Sequence, residues 1–205
     1  MTVTRRSLRV GTMQNCLARN AAAHYALNMP PIDTRPIALI GLRGTGKTTV
    51  AQLLALRVGW DWVDADVEVE LRAGKSIAAI FADDGETEFR DQETEVVAEL
   101  CERAETVLAL GGGAVLREAN RRCLANCQAV VWLQASPETL ARRLEADATT
   151  PGRRPNLTNH GGRTEIDALL AEREVIYRGC ATLEVDTEEK QPAEIAEEIF
   201  AALGG

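Results

Sequence analysis

The segment IALIGLRGTGKTTVAQLL, residues 37–54, constrains the fold more than any other part of the chain. An apolar run stops at Gly41, a glycine-rich turn follows, and a run with helical spacing begins at Lys47. The turn matches the pattern G-x-x-x-x-G-K-S/T between a strand and a helix, which is the context that phosphate binding requires. The sequence therefore predicts a loop that binds a nucleoside triphosphate. The alternative is a plain glycine turn that happens to carry a lysine.

Each residue type in this loop has a physical role toward phosphate. The glycines let successive backbone N–H groups turn toward phosphate oxygens, and the N-terminal end of the following helix adds positive potential. Lys47 is predicted to reach the β and γ phosphates, and the Thr48 hydroxyl to join the shell of a Mg²⁺ ion. The loop residues predicted to bind ATP are Gly44, Thr45, Gly46, Lys47, Thr48 and Thr49.

Composition and charge exclude several classes of protein. The chain has 205 residues, of which 45% are hydrophobic and 26% are charged, as in an ordinary globular domain. It has no apolar run of the roughly 20 residues needed to span a bilayer, so we expect no membrane embedding. The net charge of −8 argues against a nucleic-acid-binding surface. Five cysteines with scattered spacing favour a reducing compartment over a disulfide framework.

The first 32 residues differ from the rest of the chain. They contain four arginines and no acidic residue, which leaves 19 basic and 31 acidic residues in the remainder. We interpret residues 1–32 as an N-terminal arm that is disordered or absent from the mature protein, with Met29 as a possible true start. The alternative is an organelle transit peptide. We therefore expect a single domain over residues 33–205 and a cytoplasmic location, or an organellar one if the arm is a transit peptide.

Beyond the arm, short apolar runs alternate with longer runs of helical spacing. The predicted strands lie in IALIGL, WDWVDAD, ETVLALGGG, AVVWLQA and ATLEVDT. The predicted helices lie in KTTVAQLLALRV, DQETEVVAELCERA, SPETLARRLEA, TEIDALLAEREVIYR and PAEIAEEIFAAL. This alternation predicts an α/β fold with a parallel sheet between two layers of helices. Residues 147–164, rich in glycine, proline, threonine and arginine, interrupt the alternation and are predicted to form a functional flap or to be disordered.

Two further groups of residues follow predicted strands. Asp64 and Asp66 come at the end of the second strand, where an extended backbone would point both carboxylates the same way, toward the ligand edge of a parallel sheet. The alternative is the acidic start of a solvated helix, since Asp favours N-caps. Gly111, Gly112 and Gly113 follow the third strand and would bring backbone N–H groups close to a ligand, or else form only a tight turn.

Together these residues resemble the shikimate kinase family, from about residue 37 to residue 203. The resemblance rests on the P-loop, the D-x-D pair, the segment SIAAIFADDGETEFR, the GGGAV run, RRP in the flap, AEREVIYR and VDTEEKQP. It implies the fold of the nucleoside-monophosphate kinases, a three-layer α/β/α domain with a five-stranded parallel sheet and a mobile lid. It also implies transfer of the γ-phosphoryl group of ATP to the 3-hydroxyl of shikimate, with Mg²⁺ as cofactor.

The resemblance assigns roles to individual residues. Asp66 corresponds to the catalytic carboxylate, and Lys47 and Arg154 of the lid to the residues that contact the transferring phosphoryl group. The residues implied to bind shikimate are Asp66, Arg90, Gly111, Gly112, Gly113 and Arg173, with Phe81 and Phe89 as an apolar wall or as ordinary core residues. Thr48 and Asp64 correspond to the Mg²⁺ partners, and Arg143, Arg154 and Pro192 to residues near the nucleotide. The substrate-binding segment is implied to span residues 65–95.

Departures from the family pattern and rival functions remain open at this point. The lid reads Arg154-Pro155-Asn156-Leu157 where the family has R-P-L-L, and Arg153 stands beside Arg154, so either guanidinium could enter the site. The rivals are a gluconate or nucleoside-monophosphate kinase and a non-catalytic ATP-binding regulator. We expect the partners to be ATP and shikimate, with no nucleic acid and no membrane, and the protein to be a monomer.

Overall fold

A computed structural model describes residues 33–146 and 162–204. Five strands form one sheet: β1 (Ile37–Ile40), β2 (Asp61–Asp64), β3 (Thr106–Ala109), β4 (Ala129–Gln134) and β5 (Leu183–Asp186). Their order is β2-β3-β1-β4-β5, and every pair of neighbours is parallel. The predicted five-stranded parallel sheet is therefore confirmed.

Eight α-helices and one 3₁₀ helix (Ala114–Leu116) occur within the described residues. The helices are α1 (Lys47–Val58), α2 (Ala65–Ala73), α3 (Ile77–Asp83), α4 (Gly85–Leu100), α5 (Glu118–Leu124), α6 (Pro137–Ala146), α7 (Gly162–Cys180) and α8 (Pro192–Ala202). The five helices predicted from apolar spacing correspond to α1, α4, α6, α7 and α8. Helices α3 and α5 were not predicted, because each has only seven residues, too few for a clear period. Helix α2 corresponds to the alternative given for Asp64 and Asp66, the acidic start of a helix.

The two faces of the sheet carry two separate cores. On β1, Ile37 and Leu39 pack with α1 and α8, whereas Ala38 and Ile40 pack with α2, α3, α4 and α7. All four residues are at most 1% exposed, because helices cover both faces. This arrangement is the predicted three-layer α/β/α fold. It places the carboxyl ends of β1, β2 and β3 at one edge of the sheet.

The structure decides between the two alternatives for Asp64 and Asp66 in favour of a helix start. Helix α2 begins at Ala65, so Asp66 lies in a helical turn and does not continue the extended strand that ends at Asp64. A spacing of four residues would also allow Cys123 and Cys127 one helical face, but α5 ends at Leu124, and Cys127 places its Sγ 3.9 Å from that of Cys101.

Some predictions concern residues outside the described ranges. The N-terminal arm, residues 1–32, and the lid arginines Arg153 and Arg154 lie there, whereas the last three residues of the predicted flap, 162–164, begin α7. Among the described helices, none combines the length and the apolar character that crossing a membrane would demand.

Candidate active site

The loop between β1 and α1 has the backbone conformation of a phosphate cradle. Gly41, Gly44 and Gly46 adopt φ angles of 135°, 85° and 88°, a region that residues with a Cβ rarely occupy. A Cβ at Gly41 would also overlap the carbonyl oxygen of Leu133. Gly46 is the N-cap residue of α1 and offers no side-chain cap, so the first N–H groups of the helix are available to an anion.

Lys47 lies at the first position of α1 and reaches back across the loop. Its Nζ donates hydrogen bonds of 2.9 Å to the carbonyl oxygens of Gly41 and Leu42. These contacts hold the ammonium group inside the loop, where the β and γ phosphates of a nucleotide would lie. The loop thus presents a fixed positive charge together with backbone donors.

A hydroxyl and a carboxylate meet directly beyond this loop. The Oγ1 of Thr48 donates a 2.7 Å hydrogen bond to Oδ2 of Asp64. The other oxygen of Asp64 accepts a 3.0 Å bond from the backbone N–H of Asp66, so Asp64 also acts as the N-cap of α2. Hydroxyl and carboxylate oxygens are the ligands that Mg²⁺ prefers, and it takes few of them from protein when phosphates supply the rest. The pair therefore fits the predicted metal position, although the described residues contain no cluster of three or more acidic, histidine or cysteine ligands.

A cavity of about 330 Å³ joins these groups. The predicted site residues that line it are Gly44, Gly46, Lys47, Thr48, Thr49, Asp64, Asp66, Gly111, Gly112 and Arg143. Arg143 is fixed there by Thr187, whose carbonyl oxygen accepts a 2.7 Å bond from Nη2. Val67, Glu70 and Ile77 also line the cavity and extend it toward the predicted acceptor segment.

Arg90 lies next to Gly113, at the end of the glycine run. It belongs to α4, is 7% exposed, and its Nη1 donates a 2.8 Å bond to Oε2 of the buried Glu93. Burial alone would lower the pKa of Arg90, but the charge and hydrogen bond of Glu93, together with Glu86, raise it above its ordinary value. Arg90 is therefore a permanently charged group held in one orientation.

Arg173 approaches the same glycine run from α7. It is 6% exposed, and its Nη1 donates a 3.2 Å bond to the carbonyl oxygen of Gly112. Its Nε is buried and has no hydrogen-bond partner within residues 33–146 and 162–204. A buried guanidinium with unused donors is suited to a carboxylate, which can accept two parallel hydrogen bonds.

Seven of the described residues predicted to bind the nucleotide or the acceptor do not line the cavity: Thr45, Phe81, Phe89, Arg90, Gly113, Arg173 and Pro192. Phe89 is fully buried in the core between the sheet and α4, and its ring centroid is 4.8 Å from that of Phe81. Neither ring lines the cavity, so the alternative that they are core residues describes their positions. Pro192 begins α8, does not line the cavity either, and its role near the nucleotide stays a prediction.

Sequence reasoning missed three residues that hold the site together. Glu93 balances Arg90, Tyr177 donates to Gly112, and Glu165, buried at the start of α7, binds Nη2 of Arg43 in the P-loop at 2.7 Å. Two signals were present: Glu93 follows Arg90 by three residues, and Tyr177 follows Arg173 by four, so each pair shares a helical face. The contact between Arg43 and Glu165 spans 122 residues and left no local signal.

Comparisons with known proteins agree with this geometry. The family model described as "Shikimate kinase" matches residues 43–204, most of the chain. This chain is a member of the shikimate kinase family. A relative named shikimate kinase from Rhodopirellula baltica is 43% identical over 176 residues, covering 86% of this chain and 94% of the relative. Another from Thermobifida fusca is 46% identical over 173 residues, covering 84% and 97%.

A solved structure of the shikimate kinase family has the same architecture. The structure of shikimate kinase from Acinetobacter baumannii in complex with shikimate matches with a TM-score of 0.78 and 33% identity, over 84% of this chain and 94% of that one. The match confirms the predicted fold.

Proposed function

We propose that this protein transfers the γ-phosphoryl group of ATP to the 3-hydroxyl of shikimate and produces ADP and shikimate 3-phosphate. One observation carries the proposal: the phosphate cradle and a pair of buried arginines are connected through the run Gly111–Gly113. Gly111 and Gly112 line the cavity with the P-loop, while Gly112 and Gly113 contact Arg173 and Arg90. A phosphate bound by the P-loop and an anionic acceptor bound by the arginines would thus lie on either side of the backbone of Gly111–Gly113.

On the donor side, the loop of residues 41–48 binds the triphosphate. Lys47 places its charge against the β and γ phosphates, and Arg143, held by Thr187, stands at the nucleotide end of the cavity. Thr48 and Asp64 would hold Mg²⁺, which neutralises phosphate charge when bound. From the resemblance alone, Arg154 of the lid is assigned to the transferring phosphoryl group.

On the acceptor side, the two arginines select a carboxylate. Shikimate carries its carboxylate at one end of the ring and its hydroxyls at the other. Arg90 and Arg173 bind the carboxylate, so the hydroxyls face Asp66 and the P-loop. Asp66, which lines the cavity, accepts the proton of the attacking hydroxyl.

Phosphoryl transfer of this kind depends on alignment and on electrostatic stabilisation more than on covalent chemistry. Charge spreads over the γ-phosphoryl oxygens in a loose transition state, so fixed positive groups lower the barrier. The buried arginines contribute by holding the acceptor oxygen in line. We propose that the protein acts in this way as a monomeric cytoplasmic enzyme with Mg²⁺ as its cofactor.

The experiment that tests this function is a coupled assay for ADP release. Shikimate is compared with quinate, gluconate, UMP and AMP at equal concentration, with and without Mg²⁺. We expect turnover with shikimate to exceed turnover with UMP and AMP by orders of magnitude, because neither nucleotide carries a carboxylate for the two arginines. It should also exceed turnover with gluconate, whose flexible open chain does not hold a hydroxyl in line as a ring does. Faster turnover with gluconate or a nucleotide would refute the proposal.

A further inference from the structure

Tyr177 contacts the run Gly111–Gly113 but does not line the cavity. It is fully buried, and its hydroxyl donates a 2.5 Å hydrogen bond to the carbonyl oxygen of Gly112. Arg173 lies one helical turn earlier on α7 and donates to the same oxygen. We propose that Tyr177 is a positioning residue of the acceptor site, which fixes the Gly112 carbonyl and thereby the guanidinium of Arg173. The proposal rests on the proposed function.

The carbonyl oxygen of Gly112 is the shared point of this arrangement. A carbonyl oxygen has two lone pairs, and here one accepts from a phenol and the other from a guanidinium. Among the described residues, this carbonyl offers the one hydrogen bond that Arg173 makes within the protein. If the carbonyl turns, the guanidinium loses its anchor, and Nε, which is buried without a hydrogen-bond partner in the described ranges, no longer points in a defined direction.

Tyr177 can fix the carbonyl because its own ring is fixed. The ring stacks on Trp132 of β4, with centroids 5.7 Å apart and planes at 26°. P-loop backbone also lies close to Gly112: a Cβ there would stand 3.4 Å from the nitrogen of Arg43 and 3.4 Å from the oxygen of Gly41. Gly112 thus has P-loop backbone and the Tyr177 phenol as neighbours. Of the two, the phenol is a side chain and can be changed by substitution.

The test is the kinetics of Tyr177→Phe, which removes the hydroxyl and keeps the ring. We expect the KM for shikimate to rise about three- to tenfold, the range that corresponds to one neutral hydrogen bond. The KM for ATP and the kcat at saturating shikimate should stay within about twofold of the wild type, since a positioned carboxylate clamp acts on acceptor binding. A purely structural role would instead lower active protein and melting temperature without changing the KM for shikimate.

Two further variants make the outcome decisive. Ile199→Val removes one buried methylene from the core on the other face of the sheet, away from Tyr177 and Gly112, so it should lower the melting temperature and leave both KM values unchanged. In an Arg173→Lys background, Tyr177→Phe should change the KM for shikimate by less than about twofold, because the group that it positions is gone. An unchanged KM in the single variant, or the same fold-change in both backgrounds, would overturn the proposal. Failure of the wild type to phosphorylate shikimate would refute the proposed function itself, which this comparison does not test.

Discussion

Gly113 gives the sharpest test of the acceptor site, because its missing side chain makes room for Arg90. Its φ of −100° and ψ of −4° are accessible to alanine, so the substitution Gly113→Ala brings no large backbone strain. The added Cβ would stand 2.5, 2.6 and 2.8 Å from Nη1, Nη2 and Cζ of Arg90. Since ordinary contacts of this kind lie near 3.5 Å, the guanidinium must retreat by about 1 Å.

That displacement has a calculable effect on the site. The guanidinium that moves is the one that donates the 2.8 Å bond to Glu93, and Glu93 is itself only 1% exposed. Overpacking of this kind costs about 1–3 kcal/mol of unfolding free energy. Misplacing one partner of a buried charged contact to the carboxylate costs about 2–5 kcal/mol of binding free energy. We expect the KM for shikimate to rise at least about 30-fold, the lower end of that range at 1.4 kcal/mol per tenfold.

The measurement combines the ADP-release assay with urea unfolding, and the chain offers a matched control. Gly179 lies in α7, and a Cβ there would meet no atom within 4 Å. Gly179→Ala should therefore leave both KM values unchanged and raise stability by about 0.5–1 kcal/mol. If Gly113→Ala were folded and bound shikimate as tightly as the control variant, the contact between Gly113 and Arg90 would not shape the acceptor site.

Three other predictions concern the donor side, the lid and the acid stability of the fold. Lys47→Ala should leave a folded protein with no measurable turnover; normal turnover at saturating ATP would contradict the P-loop assignment. Arg154→Ala should lower kcat by more than about tenfold but less than the 10³–10⁵ of other phosphoryl-transfer arginines, since Lys47 and Mg²⁺ still act. Arg153→Ala should have a small effect, and equal losses would mean that either arginine can serve. Hydrogen bonds from Ser136 lower the pKa of Glu188 from 4.5 to about 2, so Glu188 stabilises the fold above about pH 4.5 and loses that effect as the pH falls toward 2. Urea unfolding should show Glu188→Gln to be less stable than the wild type at pH 7, with the difference shrinking below pH 4; a constant difference would refute this.

The P-loop and the sheet could be predicted because their signals are local. The glycines and Lys47 stand at fixed spacing within eight residues, and the apolar runs are continuous because both faces of the sheet are buried. The boundary after β2 could not be placed, because Asp64 is both the end of a strand and the N-cap of α2. Local patterning allowed an extended Asp66, and the cap decided against it.

The sequence predicted which residues form the acceptor site, but not the contacts that hold them in place. Arg90 and Arg173 were found through the resemblance. The sequence does not show that Tyr177 donates a hydrogen bond to Gly112, or that Glu93 accepts one from Arg90. Such contacts depend on how α4 and α7 pack against the glycine run. Phe81 and Phe89 show the opposite case. An aromatic residue near a site motif can equally be a core residue, and the contact between these two rings, one on α3 and one on α4, places both in the core.

Where Gly112 meets the donor loop, the neighbouring atoms are main chain: a Cβ on Gly112 would stand 3.4 Å from backbone atoms of both Gly41 and Arg43. Main-chain atoms are common to every amino acid, so substitution elsewhere in the cavity changes what is recognised without changing the distance across which the phosphoryl group travels. Recognition of the acceptor therefore depends on side chains, such as those of Arg90, Arg173 and Val67. Substitutions at those positions can therefore change the acceptor while the main-chain spacing between the P-loop and Gly112 stays the same.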